Sequence, residues 1–319
     1  MGPTVGTQRN AVSRSRQPKT SAGERLATGP RQLRRDSVAV PGNLGAPSMK
    51  PRVVPRQTGL ALGPEARPKF AGGGFVSAIR LQRDEVPGFE VYPFAIPAIR
   101  TLDRLELHPA VTFFIGENGS GKSTLLEALA VKLKFNEQGG SRNFASDQSF
   151  GPILGDFLTL ERHGHFTDGW FLRAESFYNV ATLIEEIGVL GSYGGKSLHA
   201  QSHGESFLAL LTNRLQGDGV YLFDEPEAAL SPQRQLSVLT LLHRLVYHRS
   251  QLVIATHSPI LLSYPHARIY EFGEHGIRET TYEETEHFRI TRDFLNRHER
   301  MLEILLGDEE ADLRGKERR

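Results

Sequence analysis

A glycine-rich segment between an apolar run and a helical pattern constrains this chain more than any other feature. Residues 116–123 read Gly-Glu-Asn-Gly-Ser-Gly-Lys-Ser, which fits the pattern G-x-x-x-x-G-K-[ST]. The apolar run 110–115 before it predicts a strand, and the apolar spacing over 123–133 predicts a helix. Glycines let consecutive main-chain N–H groups point inward, and the helix N-terminus adds a positive dipole. The segment therefore predicts a loop that wraps phosphate groups.

The residue types in this loop indicate a nucleoside triphosphate bound with Mg²⁺. Lys122 supplies a positive charge for the outer phosphates, and the Ser123 hydroxyl is a suitable Mg²⁺ ligand. We expect the nucleotide to be held by a continuous stretch, namely Gly116, Glu117, Asn118, Gly119, Ser120, Gly121, Lys122, Ser123 and Thr124.

A second apolar run, 220–223, ends in two acidic residues. At the end of such a strand, Asp224 can hold the water shell of Mg²⁺, and Glu225 can polarise an attacking water. Taken alone, the same residues would also fit a strand that ends in solvated acids before a turn at Pro226. The phosphate loop upstream favours the metal and base assignments.

Strands alternate with helices from residue 72 onward, which favours an α/β fold with a mostly parallel sheet flanked by helices. The strand pattern recurs at 75–81, 170–172 and 252–255, and Ser231-Pro232 is typical of a helix start. A hairpin is predicted around 273–276. We also expect a small antiparallel β subdomain and a small helical insert that includes residues 180–187.

The first seventy residues differ from the rest of the chain. They carry 13 Lys/Arg and 3 Asp/Glu, a net charge of +10, and 9 of the 18 prolines. This composition predicts a disordered basic tail over 1–70. We expect a folded domain over 71–297 and a C-terminal helix with a charged tail over 298–319. Contact between the tail and nucleic acid, and a transit peptide, stay open as alternatives.

Two features that the sequence lacks exclude several classes of site and protein. The chain has no cysteine, which excludes disulfides, zinc–thiolate sites and thiol nucleophiles and favours a reducing, cytoplasmic location. No apolar run approaches the ~20 residues of a membrane-spanning helix, so we expect no integral membrane segment. The histidine pairs 163/165 and 199/203 lack acidic companions at ligand spacing and are interpreted as surface histidines.

Four motifs in a fixed order carry a resemblance to a known family. They are the phosphate loop, Gln201-Ser202-His203-Gly204-Glu205 in the S-x-G-E form of a signature motif, the acidic strand with Ala228-Ala229-Leu230-Ser231 after it, and Thr256-His257-Ser258. Together they resemble the soluble ATP-binding-cassette-type AAA family ATPases, P-loop NTPases related to chromosome-maintenance and recombination ATPases. Ser202 lies 80 positions after Lys122, which leaves no room for coiled-coil arms.

The resemblance implies ATP hydrolysis with ATP and Mg²⁺, in an ATP-dependent homodimer that sandwiches each nucleotide between two protomers. Ser202 and Gly204 would contact the γ-phosphate of ATP bound by the partner. Glu225 would be the catalytic base, and His257 would sense the γ-phosphate. Without the resemblance, Ser202 and Glu205 fit an ordinary helix capping box, and His257 fits a core histidine.

The resemblance leaves several roles open. The family has a glutamine between the phosphate loop and the signature motif, for which Gln138 and Gln148 are candidates. It also has an aromatic ring that stacks on adenine, for which Tyr92 and Phe94 are candidates. Slow hydrolysis that resets an ATP-gated clamp for DNA or a protein partner is the alternative function. The ATP-binding subunit of a transporter is a third.

Overall fold

A computed structural model describes residues 74–135, 153–175, 177–187, 196–197 and 199–316 of the chain. The strands are β1 (Val76–Leu81), β2 (Arg104–Glu106), β3 (Val111–Gly116), β4 (Leu158–Arg162), β5 (Asp168–Arg173), β6 (Gly219–Asp224), β7 (Gln251–Ala255), β8 (Arg268–Gly273) and β9 (Gly276–Thr280). The helices are α1 (Pro97–Arg100), α2 (Lys122–Lys132), α3 (Phe177–Ile187), α4 (His203–Asn213), α5 (Pro232–Tyr247), α6 (Pro259–Leu262) and α7 (Glu286–Lys316), which has non-helical backbone at Arg297.

Six of these strands form one sheet in the order β5-β6-β7-β3-β8-β9. The first five run parallel, and β9 pairs antiparallel with β8 through the predicted hairpin. A second, antiparallel sheet has the order β2-β1-β4. Because β3, β6 and β7 are parallel neighbours, the segments that follow their carboxyl ends meet at one edge of the large sheet.

Both faces of the large sheet are buried, which explains why its central strands are continuous apolar runs. On β3, Phe113 belongs to the apolar cluster on the side of α4 and α5, and Phe114 belongs to the cluster on the side of α2. Both rings are fully buried. The alternation of side chains along a strand thus supplies both halves of the core.

The expected fold class is confirmed: a mostly parallel sheet is flanked by helices, with a small antiparallel sheet beside it. Helix α3 contains the predicted helical insert, and Ser231 caps α5 by accepting a hydrogen bond from the Arg234 N–H. The short strands β2 and β4 were not predicted, because β2 has only three residues and both carry charged side chains. Residues 1–70 and the candidate glutamines at 138 and 148 lie outside the described residues. Among the helices of the described part, none is both long and apolar enough to cross a bilayer.

Gln251, at the start of β7, links the small sheet to the large sheet through side-chain hydrogen bonds. Its side chain is buried, accepts a hydrogen bond from the Val76 N–H at 2.8 Å, and donates to the carbonyls of Val76 at 2.7 Å and His108 at 3.0 Å. These main-chain groups would lose their partner if the amide were removed, and buried polar groups without partners are costly.

We therefore expect Gln251→Leu to lower the free energy of unfolding by about 2–4 kcal/mol in urea denaturation, because three buried hydrogen bonds are lost at once. Gln82→Leu is the matched control, since that amide donates to Glu85 at the surface. It should change the unfolding free energy by less than about 0.5 kcal/mol. Equal effects of the two substitutions would contradict the linking role of Gln251.

Candidate nucleotide-binding site

The predicted phosphate loop joins β3 to α2 and depends on glycine for its shape. Gly116, Gly119 and Gly121 have φ angles of 135°, 80° and 102°, which residues with a Cβ rarely adopt. A Cβ on Gly116 would also collide with the Phe272 carbonyl oxygen of β8. The loop can therefore pass this close to the neighbouring strand only because position 116 is glycine.

Lys122 is buried inside the loop although it carries a charge. Its Nζ donates to the carbonyls of Gly116 at 2.8 Å and Glu117 at 2.9 Å, so the side chain folds back over the loop. Burial lowers the pKa of Lys122, and the carboxylates of Glu225 and Asp224 oppose that shift. The ammonium is thus held against the main chain of the loop, and its expected contact with the outer phosphates stays a prediction.

Asp224 and Ser123 contact each other across the site, as two ligands of one metal ion could. The Ser123 hydroxyl donates to Asp224 Oδ1 at 3.0 Å, and the Asp224 carboxylate is almost fully buried. Burial raises the pKa of Asp224 to about 6, against the opposing effects of Ser123 and Arg173. An oxygen-only donor set with a buried carboxylate in need of positive charge fits Mg²⁺. Thr124 follows in the same first turn of α2 and is half-buried.

Glu225 and His257 face each other beside the loop. Glu225 adopts a left-handed backbone with φ 48°, which is uncommon for a residue other than glycine, and its N–H donates to the Ala255 carbonyl at 2.9 Å. His257 Nε2 lies 3.6 Å from Glu225 Oε1. Both residues line a recess together with Glu117 and Asn118. The expected base and the expected γ-phosphate sensor are therefore brought together.

Two residues that contact the His257 segment were missed by the sequence reasoning. Glu227 is buried and accepts hydrogen bonds from the Thr256 hydroxyl at 2.7 Å and from the His257 N–H, so it fixes the loop that carries His257. His287, from the first turn of α7, lies 3.1 Å from His257 Nδ1 through its Nε2. A motif search could not find His287, because it lies 30 residues beyond His257 on another element.

A cleft of about 690 Å³ opens over the loop, which is a common size for a ligand pocket. Its lining includes the loop residues 116–120, both histidines and the β8–β9 turn. Of the proposed stacking rings, Phe94 is buried against Phe157 and is unsuitable for this role. Tyr92 is 70% exposed and stays a candidate.

The signature residues lie elsewhere and line neither of these two recesses. Ser202 caps α4 in the capping box with Glu205, which confirms that interpretation of the motif. Its hydroxyl also accepts a hydrogen bond from Arg234 Nη1 at 3.1 Å. A Cβ on Gly204 would overlap the Arg234 side chain and lie 2.9 Å from the Ala229 carbonyl oxygen. The contact of Ser202 and Gly204 with a partner's nucleotide stays a prediction.

Metal sites built on histidine find no support in the described part of the chain. It contains no group of three or more His, Cys, Asp or Glu residues placed to hold an ion. His163 instead shares a hydrogen bond with Ser77, and His199 shares one with Thr182.

A mostly parallel sheet whose phosphate loop leads from β3 into α2 defines a P-loop NTPase. Two family models match the chain: "AAA domain" over residues 94–162, which include the loop, and "AAA domain, putative AbiEii toxin, Type IV TA system" over residues 197–263. The resemblance inferred from the sequence is confirmed at this level: the chain has the fold of a P-loop NTPase, and two of its segments match AAA-domain models. The matches support nucleotide binding and hydrolysis.

Similar solved structures include "SMC head domain from Thermotoga maritima", with 14% identity, 65% of this chain and 98% of that one covered, and a TM-score of 0.38. Another is "An inward-facing conformation of a putative metal-chelate type ABC transporter", with 16% identity, coverage of 57% and 76%, and a TM-score of 0.36. No curated protein matches the chain significantly.

The buried carboxylate of Asp224 predicts a pH-dependent stability in the absence of metal and nucleotide. Because the folded chain holds the Asp224 proton more tightly than the unfolded chain, the free energy of unfolding should fall as pH rises from about 4 to about 6. We expect Asp224→Asn to match the parent near pH 4 and to exceed it by about 2–3 kcal/mol above pH 7, in denaturation with EDTA.

Asp293→Asn, which removes a carboxylate from the exposed surface, controls for the loss of one charge. If the difference between Asp224→Asn and the parent is the same at every pH, the buried carboxylate is not the cause.

Proposed function

We propose that this protein is a Mg²⁺-dependent ATPase of the ATP-binding-cassette type, whose domain over residues 71–297 hydrolyses ATP to ADP and phosphate between two protomers. The observation that carries the proposal is the convergence of Lys122, the Ser123–Asp224 pair and Glu225 at one edge of the sheet. These groups come from segments about 100 residues apart in the chain. Their order and types are those that phosphoryl transfer to water requires.

Binding of the triphosphate rests on the loop and on Lys122. The main-chain N–H groups of the loop and the N-terminus of α2 would hold the phosphate oxygens. Lys122 would exchange its two carbonyl partners for phosphate oxygens, which are stronger acceptors because they are charged. Ser123 and Asp224 would hold Mg²⁺, which neutralises charge on the phosphates and polarises them.

Hydrolysis needs a base close to the γ-phosphate. The Glu225 carboxylate would accept a proton from the attacking water, and its unusual backbone keeps it at the end of β6. His257 would donate a hydrogen bond to the γ-phosphate from Nε2. That atom is buried and has no hydrogen-bond partner within the part of the chain that the structure describes.

The position of the signature motif supports a dimer. Ser202 lies at the start of α4, where a serine hydroxyl and the first helical N–H groups could hold an anion, yet it lines neither recess beside its own loop. A second protomer placed head to tail would supply this site to the nucleotide. The Ser202 hydroxyl, which donates to Glu205 Oε2 at 2.8 Å within its own chain, would then donate to the γ-phosphate instead.

A trapped dimer tests the proposal. Glu225→Gln should reduce ATP turnover by at least about 100-fold, because the base is lost while the loop stays intact. With ATP and Mg²⁺ it should run as a dimer in size exclusion with light scattering, and as a monomer with ADP. Hydrolysis at the parental rate would show that another group is the base.

A second substitution separates the dimer from nucleotide binding. Ser202→Arg added to Glu225→Gln should abolish the dimer and leave ATP affinity unchanged within about twofold, because the loop of the same chain is untouched. Ser263→Arg, on an exposed serine elsewhere, is the matched control and should keep the dimer. A dimer that survives Ser202→Arg would contradict the sandwich.

A further inference from the structure

His257 and His287 form a half-buried pair whose hydrogen bond has two possible directions. His257 Nδ1 and His287 Nε2 are 3.1 Å apart, and the rings are 5.3 Å apart at their centres. Burial lowers the pKa of both histidines, and the nearby Lys122 lowers both further. Two neutral rings share one hydrogen bond only if one donates an N–H and the other accepts it.

The surroundings of the pair decide the direction. If His257 Nδ1 were the donor, its Nε2 lone pair would face the Glu225 carboxylate at 3.6 Å, and the two would repel. The Nδ1–H of His287 would then be a buried donor, and no acceptor lies near it among the described residues. In the opposite direction, His257 presents Nε2–H to Glu225 and to the site, and His287 is left with only an unpaired lone pair. Orphaned donors are rarer in proteins than orphaned acceptors.

We propose that His287 is a positioning residue that donates its Nε2–H to His257 Nδ1 and so fixes His257 in the tautomer with a proton on Nε2. That proton is the one a γ-phosphate sensor needs, so the inference rests on the proposed function and adds a residue to it. Which nitrogen of a histidine carries the proton is commonly set by the hydrogen bond that the other nitrogen makes.

The start of α7 is held firmly enough for this role. Thr285, which precedes the helix, is buried, donates from its hydroxyl to the Tyr282 carbonyl at 2.7 Å, and accepts from the Phe288 N–H. Tyr282 in turn donates to the Pro259 carbonyl at 2.9 Å, two residues beyond His257. The two histidines therefore sit on segments that are tied together, and α7 is connected directly to the nucleotide sensor.

The tautomer can be measured without relying on catalysis. In the full-length chain labelled with ¹⁵N-histidine, two-dimensional NMR should show His257 protonated at Nε2 and not at Nδ1, with the signals assigned by their loss in His257→Gln. In His287→Leu the proton should spread over both nitrogens. A proton on Nδ1 in the parent, or the same tautomer in His287→Leu, would overturn the proposal.

Steady-state kinetics test the functional consequence. His287→Leu should lower kcat for ATP about tenfold and leave ATP affinity within about twofold, because the ring orients another residue and touches no phosphate. His287→Gln, whose amide can still donate to Nδ1, should keep most of the kcat. His243→Leu, on a half-buried histidine paired with Tyr264, is the matched control and should keep full activity.

Each kinetic outcome has a definite meaning. An unchanged kcat in His287→Leu, or equal losses in His287→Leu and His287→Gln, would overturn the positioning role. A parent chain without ATPase activity would contradict the proposed function instead, and the NMR result would then decide the histidine pair by itself.

Discussion

The hydrogen bond from the Ser123 hydroxyl to Asp224 is the contact on which the rest of the site depends. It joins the helix after the phosphate loop to the end of β6 across 101 residues of sequence. It can form because β3, β7 and β6 are neighbouring parallel strands whose carboxyl ends meet at one edge. The same edge brings His257 beside Glu225. The parallel sheet therefore positions the site residues, and the short segments that follow its strands carry their side chains.

The charges at this edge are balanced only in part. Lys122 is buried against loop carbonyls, and Asp224 is a buried carboxylate whose pKa burial raises to about 6. Each group is costly to bury alone, since charged groups in a protein interior need a partner. Arg173 Nε lies 3.7 Å from Asp224 Oδ2, and a divalent cation would add a second positive charge there. A triphosphate would give Lys122 an anionic partner. Binding of the two together would therefore bring opposite charges to buried groups that now have only partial compensation.

Features that depend on residues close together in the chain could be predicted from the sequence. The loop glycines, the acidic end of β6 and the Ser231 cap are local patterns, and the structure places all of them as expected. Contacts between distant segments could not be read from the chain. Gln251 looks like any polar residue at a strand start, yet it binds β1, 175 residues away. His287 and Glu227 act on His257 through tertiary contacts, and Phe94 was a poor stacking candidate because packing buries it.

The central claim is that the loop and Lys122 bind a triphosphate. Calorimetry tests it most directly, by titration of Mg²⁺·ATP into the full-length chain and its Lys122→Ala variant. Lys132→Ala, at the other end of α2, is the matched control. If the loop binds the triphosphate and Lys122 contacts its phosphates, Lys122→Ala should lower the affinity for ATP at least about tenfold, which is the cost of one charge-assisted contact. Lys132→Ala should bind ATP with the affinity of the parent. Equal ATP affinity in Lys122→Ala and the parent would contradict the account.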